Sequence, residues 1–260
     1  INTTLLSSAA SDVYKRQVLW LISLIACAGS MEKRKNQARV TRTLGEAYLQ
    51  QGNYTESLKE FLKAEKLYAN DHLLQNDLGL AYMAKQHYDE AEFHFKKAIS
   101  IRPEYAPAKN NLGTVYMAKQ EWDAAIKQFQ TVAGDLLYGT PHFPLTNMGI
   151  AYYNKQDYTN AEKYYLEALE LQPNFVLALH NLGKTYIAMN KLPQAVATLE
   201  KAAQNAPESA IIFLDLGNAY HMSGDTQVAL RAYQKVISLS PNTPNAETAQ
   251  IEILKIESRN

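Results

Sequence analysis

The side chains that most often carry out chemistry are scattered along this sequence without a catalytic or metal-binding pattern. No two histidines have the HExxH spacing or another spacing typical of metal ligands. They stand at His72, His87, His94, His142, His180 and His221. There is no glycine-rich phosphate loop and no Gly-x-Ser-x-Gly motif. The sequence therefore predicts a protein that is not an enzyme and that holds no metal and no cofactor.

The most informative reactive side chain is the thiol of Cys27, the only cysteine in 260 residues. It follows an apolar run from Val18 to Ala26. This run is too short to cross a bilayer core of about 30 Å, which needs about 20 residues, and it suits the h-region of a signal peptide over 18–26. A single cysteine provides no disulfide framework. Cys27 is therefore predicted either to be modified at the end of a secretory signal or merely to close the apolar run.

Most of the remaining sequence is one pattern repeated six times. A Leu-Gly or Met-Gly pair recurs every 34 residues, with one step of 36, and a Tyr follows each Gly three residues later. The six glycines are Gly45, Gly79, Gly113, Gly149, Gly183 and Gly217. A small, large, small run follows in each unit, and its large residues are Phe61, Phe95, Phe129, Tyr165, Leu199 and Tyr233. A period of this length is the signature of a repeat architecture.

Each unit is predicted to contain two helices, because its apolar and small residues recur at spacings of three and four. A Gly inside a helix costs about 1 kcal/mol relative to Ala, so six of them at one phase indicate close helix-to-helix approach. Turn residues such as Gln51-Gly52-Asn53 separate the two helices. The second helices are predicted to start at N-cap residues, with Glu92 and Glu162 completing capping boxes. The predicted caps are Thr55, Asp89, Asp123 and Thr159.

This pattern resembles the tetratricopeptide (TPR) repeat family. The resemblance implies an all-α fold, a right-handed α-solenoid of six TPR helix-turn-helix repeats over 38–243. The repeats are predicted at 38–71, 72–105, 106–141, 142–175, 176–209 and 210–243. A C-terminal capping helix is expected within 244–260, with Ile251, Leu254 and Ile256 as its apolar side chains. The irregular stretch 134–141, with two Gly and a Pro, is expected to divide the array into two groups of three repeats.

The N-terminal region is predicted to contain a lipid anchor. Residues 7–17 match the translation of a transposase-type sequencing adapter, so 1–17 is interpreted as non-native. Leu24 to Cys27 resembles the bacterial lipobox, and this resemblance implies diacylation of Cys27. Because Ala28 follows the cysteine, it also implies anchoring at the periplasmic face of the outer membrane. Residues 27–37 are expected to be a solvated tether, although the cluster Lys33 to Lys35 leaves contact with headgroups open.

A second face of the first helices is predicted to bind protein partners. In TPR proteins the sixth, ninth and twelfth positions of a repeat line the concave groove, and here the middle repeats place apolar side chains and an asparagine ladder there. The candidate groove residues are Leu80, Met83, Asn111, Thr114, Met117, Asn147, Ile150, Tyr153, Asn181 and Ile187. Asparagines can donate and accept along a peptide backbone, while Met adapts to its side chains. The alternative is that the twelfth position merely packs against the following repeat.

Charge and resemblance together favour an envelope scaffold. The chain has 26 basic and 26 acidic residues and no basic stripe, which disfavours nucleic acid as a partner. No small-molecule substrate is expected. Six TPR repeats behind a lipobox resemble the pilotin family of type IV pilus biogenesis, which implies a secretin or another envelope assembly subunit as partner. Two alternatives remain: a lipidated adaptor for β-barrel assembly or polysaccharide export, and an enzyme subunit that lacks its catalytic domain.

Overall fold

The computed structural model describes residues 20, 29–135 and 139–258, and these residues form helices and no strand. The predictions for 1–17, for most of 18–26 and for Cys27 lie outside the described residues. The first helix, α1, covers 29–50. It is followed by α2 (Tyr54–Leu67), α3 (His72–Ala84), α4 (Tyr88–Ile101), α5 (Ala106–Ala118), α6 (Trp122–Ala133), α7 (His142–Asn154), α8 (Tyr158–Leu171), α9 (Val176–Ala188), α10 (Leu192–Asn205), α11 (Ala210–Met222), α12 (Thr226–Leu239) and α13 (Pro244–Glu257).

Consecutive helices pack as pairs, which confirms the all-α TPR prediction. Contacts join α3 with α4, α7 with α8, α9 with α10 and α11 with α12. The chain forms two compact units, unit 1 up to Ala108 and unit 2 from Lys109 onward. The expected division at 134–141 is therefore wrong: the boundary falls inside α5, while α6 packs against α7 across the irregular stretch.

The six repeated glycines lie where the two helices of each repeat come closest. A Cβ built on Gly113 would lie 2.6 Å from Cε1 of Phe129, a distance that real side chains do not tolerate. Each of the other five glycines faces the large residue of its own repeat in the same way, at 2.5 to 2.6 Å. The prediction of close helix approach is confirmed, and the partner is the large side chain of the second helix.

The turns inside the repeats share one backbone geometry. In the second repeat the N–H of His87 donates to the carbonyl of Tyr82 (3.0 Å) and the N–H of Gln86 donates to that of Met83 (2.9 Å). This is the Schellman arrangement, which requires a left-handed residue after the helix. The left-handed positions have φ between 55° and 88°, and they are Gly52, Gln86, Gln120, Gln156, Asn190 and Gly224.

The N-caps of the second helices lie two residues before the predicted caps. The N–H of Ser57 donates to the carbonyl of Asn53 (2.9 Å), so Asn53 is the N-cap of α2 and Thr55 lies within the first turn. Asp89, Asp123 and Thr159 are displaced in the same way, because the helices start at an aromatic residue. The two capping boxes are also wrong, because the N-caps are His87 and Asp157 and neither Glu92 nor Glu162 stands at the N3 position. Glu92 pairs with Lys96 and Glu162 with Lys191.

The segment expected to be a tether is helical from residue 29 onward. Arg34 donates through Nη2 to the carbonyl of Lys66 (3.3 Å), and the ammonium of Lys35 lies 5.8 Å from the ring centroid of Tyr68. Glu, Lys, Arg and Gln are strong helix formers, so a polar segment without apolar periodicity still extends α1. Residues 29–37 are exposed to solvent, as expected.

The C-terminal segment forms the expected capping helix, but with a different buried face. Helix α13 packs against α12 and α11 and buries Ala249, Ile253 and Ile256. Ile251 and Leu254 are more than half exposed, at 52% and 56%. Residues four and three apart share a face, so the alanine at 249 joins Ile253 and Ile256 on the inner side.

Candidate protein-binding surface

The ten predicted groove residues fall on four first helices in two units. Helix α3 of unit 1 carries Leu80 and Met83, and unit 2 carries the other eight on α5, α7 and α9. Within unit 2 the first helices also contact one another, α7 with α9 and α9 with α11. We define the first-helix face of unit 2 as the surface formed by the sixth, ninth and twelfth repeat positions of α5, α7, α9 and α11.

The apolar residues of this face are half-buried. Ile150, Tyr153 and Ile187 all pack against the core cluster of unit 2, which includes Leu179 and Leu182. None of the predicted apolar groove residues is among the most exposed large hydrophobic side chains. At the twelfth position, Tyr153 and Ile187 therefore both pack against the core of unit 2 and keep part of their surface exposed. The role of the ten residues in partner binding stays a prediction.

The side chains of the asparagine ladder are partly engaged within the protein and so offer fewer hydrogen bonds to a partner than the sequence implies. Asn181 donates through Nδ2 to the carbonyl of Leu177 (2.8 Å), one turn earlier on its own helix. Its side-chain oxygen is left to accept from a partner. Asn111 also has a partner within the protein. Thr114 donates through Oγ1 to the carbonyl of Asn110 (3.2 Å).

A pocket of about 470 Å³ opens among α7, α9, α11 and α13 in unit 2. Its apolar wall includes Tyr153, Ile187 and Met222, and its polar residues include Lys184 and Asn218. Tyr233 closes one side and donates through its hydroxyl to Oδ1 of Asn218 (2.9 Å). The repeat pattern did not predict this pocket, because Glu252 on the capping helix completes its lining.

The pocket contains charges of both signs. Oδ2 of Asp215 lies 2.6 Å from Nε2 of His180, and Glu252 accepts from Nζ of Lys255 (2.7 Å). The ammonium of Lys184 lies 5.5 Å from the ring centroid of Tyr153. Burial raises the pKa of the Tyr233 hydroxyl to about 12, and the Glu252 carboxylate adds to this effect. Tyr233 therefore remains a hydrogen-bond donor at physiological pH.

Unit 1 carries an ion cluster on its own first helices. Arg42 lies 3.1 Å from Glu46, 3.7 Å from Asp71 and 3.5 Å from Asp77. Three carboxylates therefore share one guanidinium. Burial raises the pKa of the Asp77 carboxyl to about 7, and the Arg42 charge opposes that rise. All three carboxylates belong to unit 1 itself, so the Arg42 guanidinium is engaged in contacts within the protein.

A second polar network joins α2, α3 and α4 of unit 1. His94 is buried and lies 2.7 Å through Nδ1 from Oε1 of Gln75, whose amide group donates to Glu65 (3.0 Å). The same His94 ring stacks on Tyr82 at 5.3 Å between centroids. Burial lowers the pKa of His94, so the ring is neutral and supports the packing. This histidine is structural.

The described residues contain no group of three or more His, Cys, Asp or Glu arranged to share a metal ion. Across the same described ranges, no helix has both the length and the apolar character needed to cross a membrane. The polar clusters described above are built from ion pairs and hydrogen bonds between neighbouring helices.

Four family models match the chain, and all four describe the tetratricopeptide repeat. They cover residues 36–104, 82–135, 144–175 and 180–246. Among curated proteins, the O-mannosyl-transferase TMTC3 of Homo sapiens is 27% identical over 123 residues. The STIP1 homolog of Dictyostelium discoideum is 28% identical over 117 residues. The chain spans 13% and 21% of the length of these two relatives, and the matches cover 42% of the chain.

Solved structures match over nearly their whole length. PilW, described as a widely conserved type IV pilus biogenesis factor, is 21% identical with a TM-score of 0.77, covering 82% of this chain and 98% of PilW. PilF of Pseudomonas aeruginosa is 18% identical with a TM-score of 0.73, covering 85% and 99%. YrrB, described as a TPR protein with an unusual peptide-binding site, is 21% identical with a TM-score of 0.55, covering 73% and 97%. The chain belongs to the tetratricopeptide repeat family, whose repeats bind protein partners.

Proposed function

We propose that this protein is a non-catalytic, lipid-anchored TPR scaffold that acts at the periplasmic face of a bacterial outer membrane. Its partner is a subunit of the type IV pilus machinery, and its task is to assist localisation and multimerisation of the secretin channel. The lipid on Cys27 provides the membrane attachment, and the first-helix face of unit 2 binds the protein partner.

The observation that carries this proposal is the match to PilW, because it covers nearly all of that pilus biogenesis factor. PilF supports the same assignment through a similarly complete match. Leu24 to Cys27 supports the anchor, since an aliphatic and a small residue precede the one cysteine. The half-buried apolar residues of α7 and α9 support a protein partner, because a partner can complete their burial.

The test is secretin assembly in the organism that encodes the protein. Deleting the gene is expected to reduce the heat-resistant secretin multimer in outer-membrane fractions while leaving secretin monomer present. Complementation with the parent chain should restore the multimer. Complementation with Cys27→Ser should restore it only in part, because the scaffold then lacks its anchor.

A deletion that leaves the secretin multimer unchanged would overturn the pilus assignment. Measuring the outer-membrane β-barrel content and the exported polysaccharide of the same strain separates the alternatives. A selective loss of either one, with intact secretin, would assign the scaffold to that envelope system instead.

A further inference from the structure

We propose that the pocket among α7, α9, α11 and α13 binds one specific side-chain pair of a partner segment: a large apolar side chain next to a carboxylate. The carboxylate pairs with Lys184, and the apolar side chain lies against Tyr153, Ile187 and Met222. This inference rests on the proposed function as a protein-binding scaffold, and it adds the chemistry of the segment that is bound.

The size and walls of the pocket fit a side chain rather than a whole helix. Its volume is about 470 Å³, within the range of pockets that enclose compact ligands. Met222 is 49% exposed at the pocket wall, and a methionine adapts its shape to an apolar partner. An aromatic or branched aliphatic side chain can therefore enter and be covered on several sides.

The polar groups of the pocket suit the main chain around that side chain. The Tyr233 hydroxyl donates a hydrogen bond to Oδ1 of Asn218. The NH₂ group of the Asn218 amide can therefore donate to a peptide carbonyl. Nδ1 of His221 is buried and has no hydrogen-bond partner in the described protein. A buried polar atom without a partner is uncommon in folded proteins, and a bound segment would supply one.

The charges indicate an acidic rather than a basic neighbour. Both pocket carboxylates already have a donor: His180 for Asp215 at 2.6 Å, and Lys255 for Glu252 at 2.7 Å. Lys184 contacts only the face of Tyr153, at 5.5 Å from its centroid, and has no ion pair within the part of the chain that the structure describes. A partner carboxylate can therefore accept from Lys184 without displacing an existing contact, whereas a partner cation would have to compete with His180 or Lys255 for a pocket carboxylate.

Nuclear magnetic resonance titration of the full chain with short peptides tests this inference. The probe is an acetylated and amidated tetrapeptide, alanine-phenylalanine-glutamate-alanine, so the glutamate supplies its only charge. Matched probes replace the glutamate by glutamine or by lysine, or the phenylalanine by alanine. The expected result is chemical-shift change at the amides of Lys184, Ile187 and Asn218. Affinity should fall about fivefold with glutamine, equivalent to about 1 kcal/mol, and further with lysine or without the ring.

Two variants of the chain provide the control. Lys184→Met keeps most of the aliphatic stem and should abolish the preference for glutamate over glutamine. Lys163→Met, at an exposed lysine on α8, should leave that preference unchanged. Equal binding of the glutamate and glutamine probes by the parent chain would overturn the inference, as would stronger binding of the lysine probe. Shift changes confined to other helices would also overturn it.

The outcome is separate from that of the proposed function. If the parent chain supports secretin assembly but the probes show no preference, the scaffold role stands and the pocket inference fails. If the probes bind as expected but deletion leaves secretin unchanged, the pocket binds the segment of a different partner and the pilus assignment fails.

Discussion

Single residues determine how closely the helices of each repeat approach. The large side chain of the second helix lies against the backbone of a glycine on the first, in all six repeats. Tyr165 and Tyr233 do this as well as the phenylalanines, and both are fully buried. The sequence revealed that these glycines have a packing role, because their helix propensity is poor. It did not reveal their partner, since the facing residue is set by the angle between the two helices.

A methyl group at this contact should destabilise the fold. In Gly113→Ala the new Cβ would lie 2.6 Å from the Phe129 ring, so the ring or the helix must move. Overpacking of this kind costs about 1 to 3 kcal/mol, more than the gain of about 1 kcal/mol in helix propensity. Chemical denaturation should show a lower free energy of unfolding. The control is Gly134→Ala, where the nearest atom lies 3.5 Å away; equal stability of the two variants would contradict the close contact.

The raised pKa of Asp77 predicts a pH-dependent stability of unit 1. Its carboxyl has a pKa of about 7 in the folded protein, against an ordinary value of 3.8. Between these values the folded state binds more protons than the unfolded state, so this group's contribution to stability falls as pH rises from 4 to 7. Asp77→Asn removes that loss and leaves Arg42 with Glu46 and Asp71.

Thermal melting of both proteins between pH 5 and pH 8 measures the effect. The difference in Tm, variant minus parent, should increase with pH. His94 titrates in both proteins, and its contribution cancels in the difference. A difference that stays constant over this range would mean that Asp77 is ionised throughout.

Polar side-chain contacts between first helices follow a regular spacing in the sequence. Arg42 pairs with Asp77, and His180 pairs with Asp215. Both pairs are 35 residues apart, one repeat plus one position. The fifth position of a repeat therefore lies beside the sixth position of the next. Complementary side chains at this spacing are a signal for such pairs in a repeat of 34 residues.

At the scale of elements, the repeats keep one turn geometry with different residues. Gly52 and Gly224 adopt left-handed φ in the first and last repeats, whereas four repeats place Gln or Asn there. The turn positions were predictable from Gly and Asn. Gln86, Gln120 and Gln156 were not, because glutamine has no preference for this conformation and the Schellman hydrogen bonds impose it. The starts of the second helices were misplaced for a related reason. The residue after the left-handed turn position becomes the N-cap because of the turn geometry, whether or not its side chain is a good cap.

Replacing one of these glutamines by glycine should stabilise the array. Gln120 has φ of 61° and an exposed side chain, so Gln120→Gly relieves backbone strain of about 1 to 2 kcal/mol. The greater freedom of glycine in the unfolded chain offsets part of this gain. The free energy of unfolding should rise by about 0.5 to 1 kcal/mol. The reverse change at the equivalent position, Gly224→Gln, should lower it; a fall in stability with Gln120→Gly would contradict this account.

At the scale of the whole molecule, the repeat period was sufficient to predict an array of paired helices with a cap. The division into units was not predictable in this way. It falls within α5, between Ala108 and Lys109, where Pro107 is accommodated in the first turn of the helix and causes no break. The binding residues were predictable only as positions on a face; their burial depends on packing with the following repeat.

The proposed anchor predicts where the protein is found in the cell. Cys27→Ser removes the thiol that would be acylated, and the basic residues of α1 carry too little charge to hold the protein at a membrane alone. Fractionation should then show the variant in the soluble periplasmic fraction and the parent in the outer membrane. A variant that still sediments with outer membranes in high salt would contradict the lipid anchor.

The first-helix face of unit 2 predicts the effect of charge on partner binding. Met117 and Tyr153 present apolar surface on α5 and α7, and burying such surface stabilises a complex by about 25 cal/mol per Å². The double variant Met117→Glu with Tyr153→Glu should therefore abolish secretin assembly while membrane attachment remains. Because Tyr153 also packs against the core of unit 2, its replacement should lower the melting temperature. Secretin assembly is therefore also measured with the single variant Met117→Glu, which keeps Tyr153.

A control on another surface distinguishes lost binding from lost folding. Leu166 is 42% exposed on the second helix α8 and is not part of the first-helix face of unit 2, so Leu166→Glu adds the same charge outside the proposed surface. Secretin multimer yield should remain at the parental level in Leu166→Glu and fall in Met117→Glu. A multimer yield that falls in Leu166→Glu and stays parental in Met117→Glu would instead place the partner on the second helices. The reason is that a carboxylate weakens binding only where the partner covers it and no counter-charge is present.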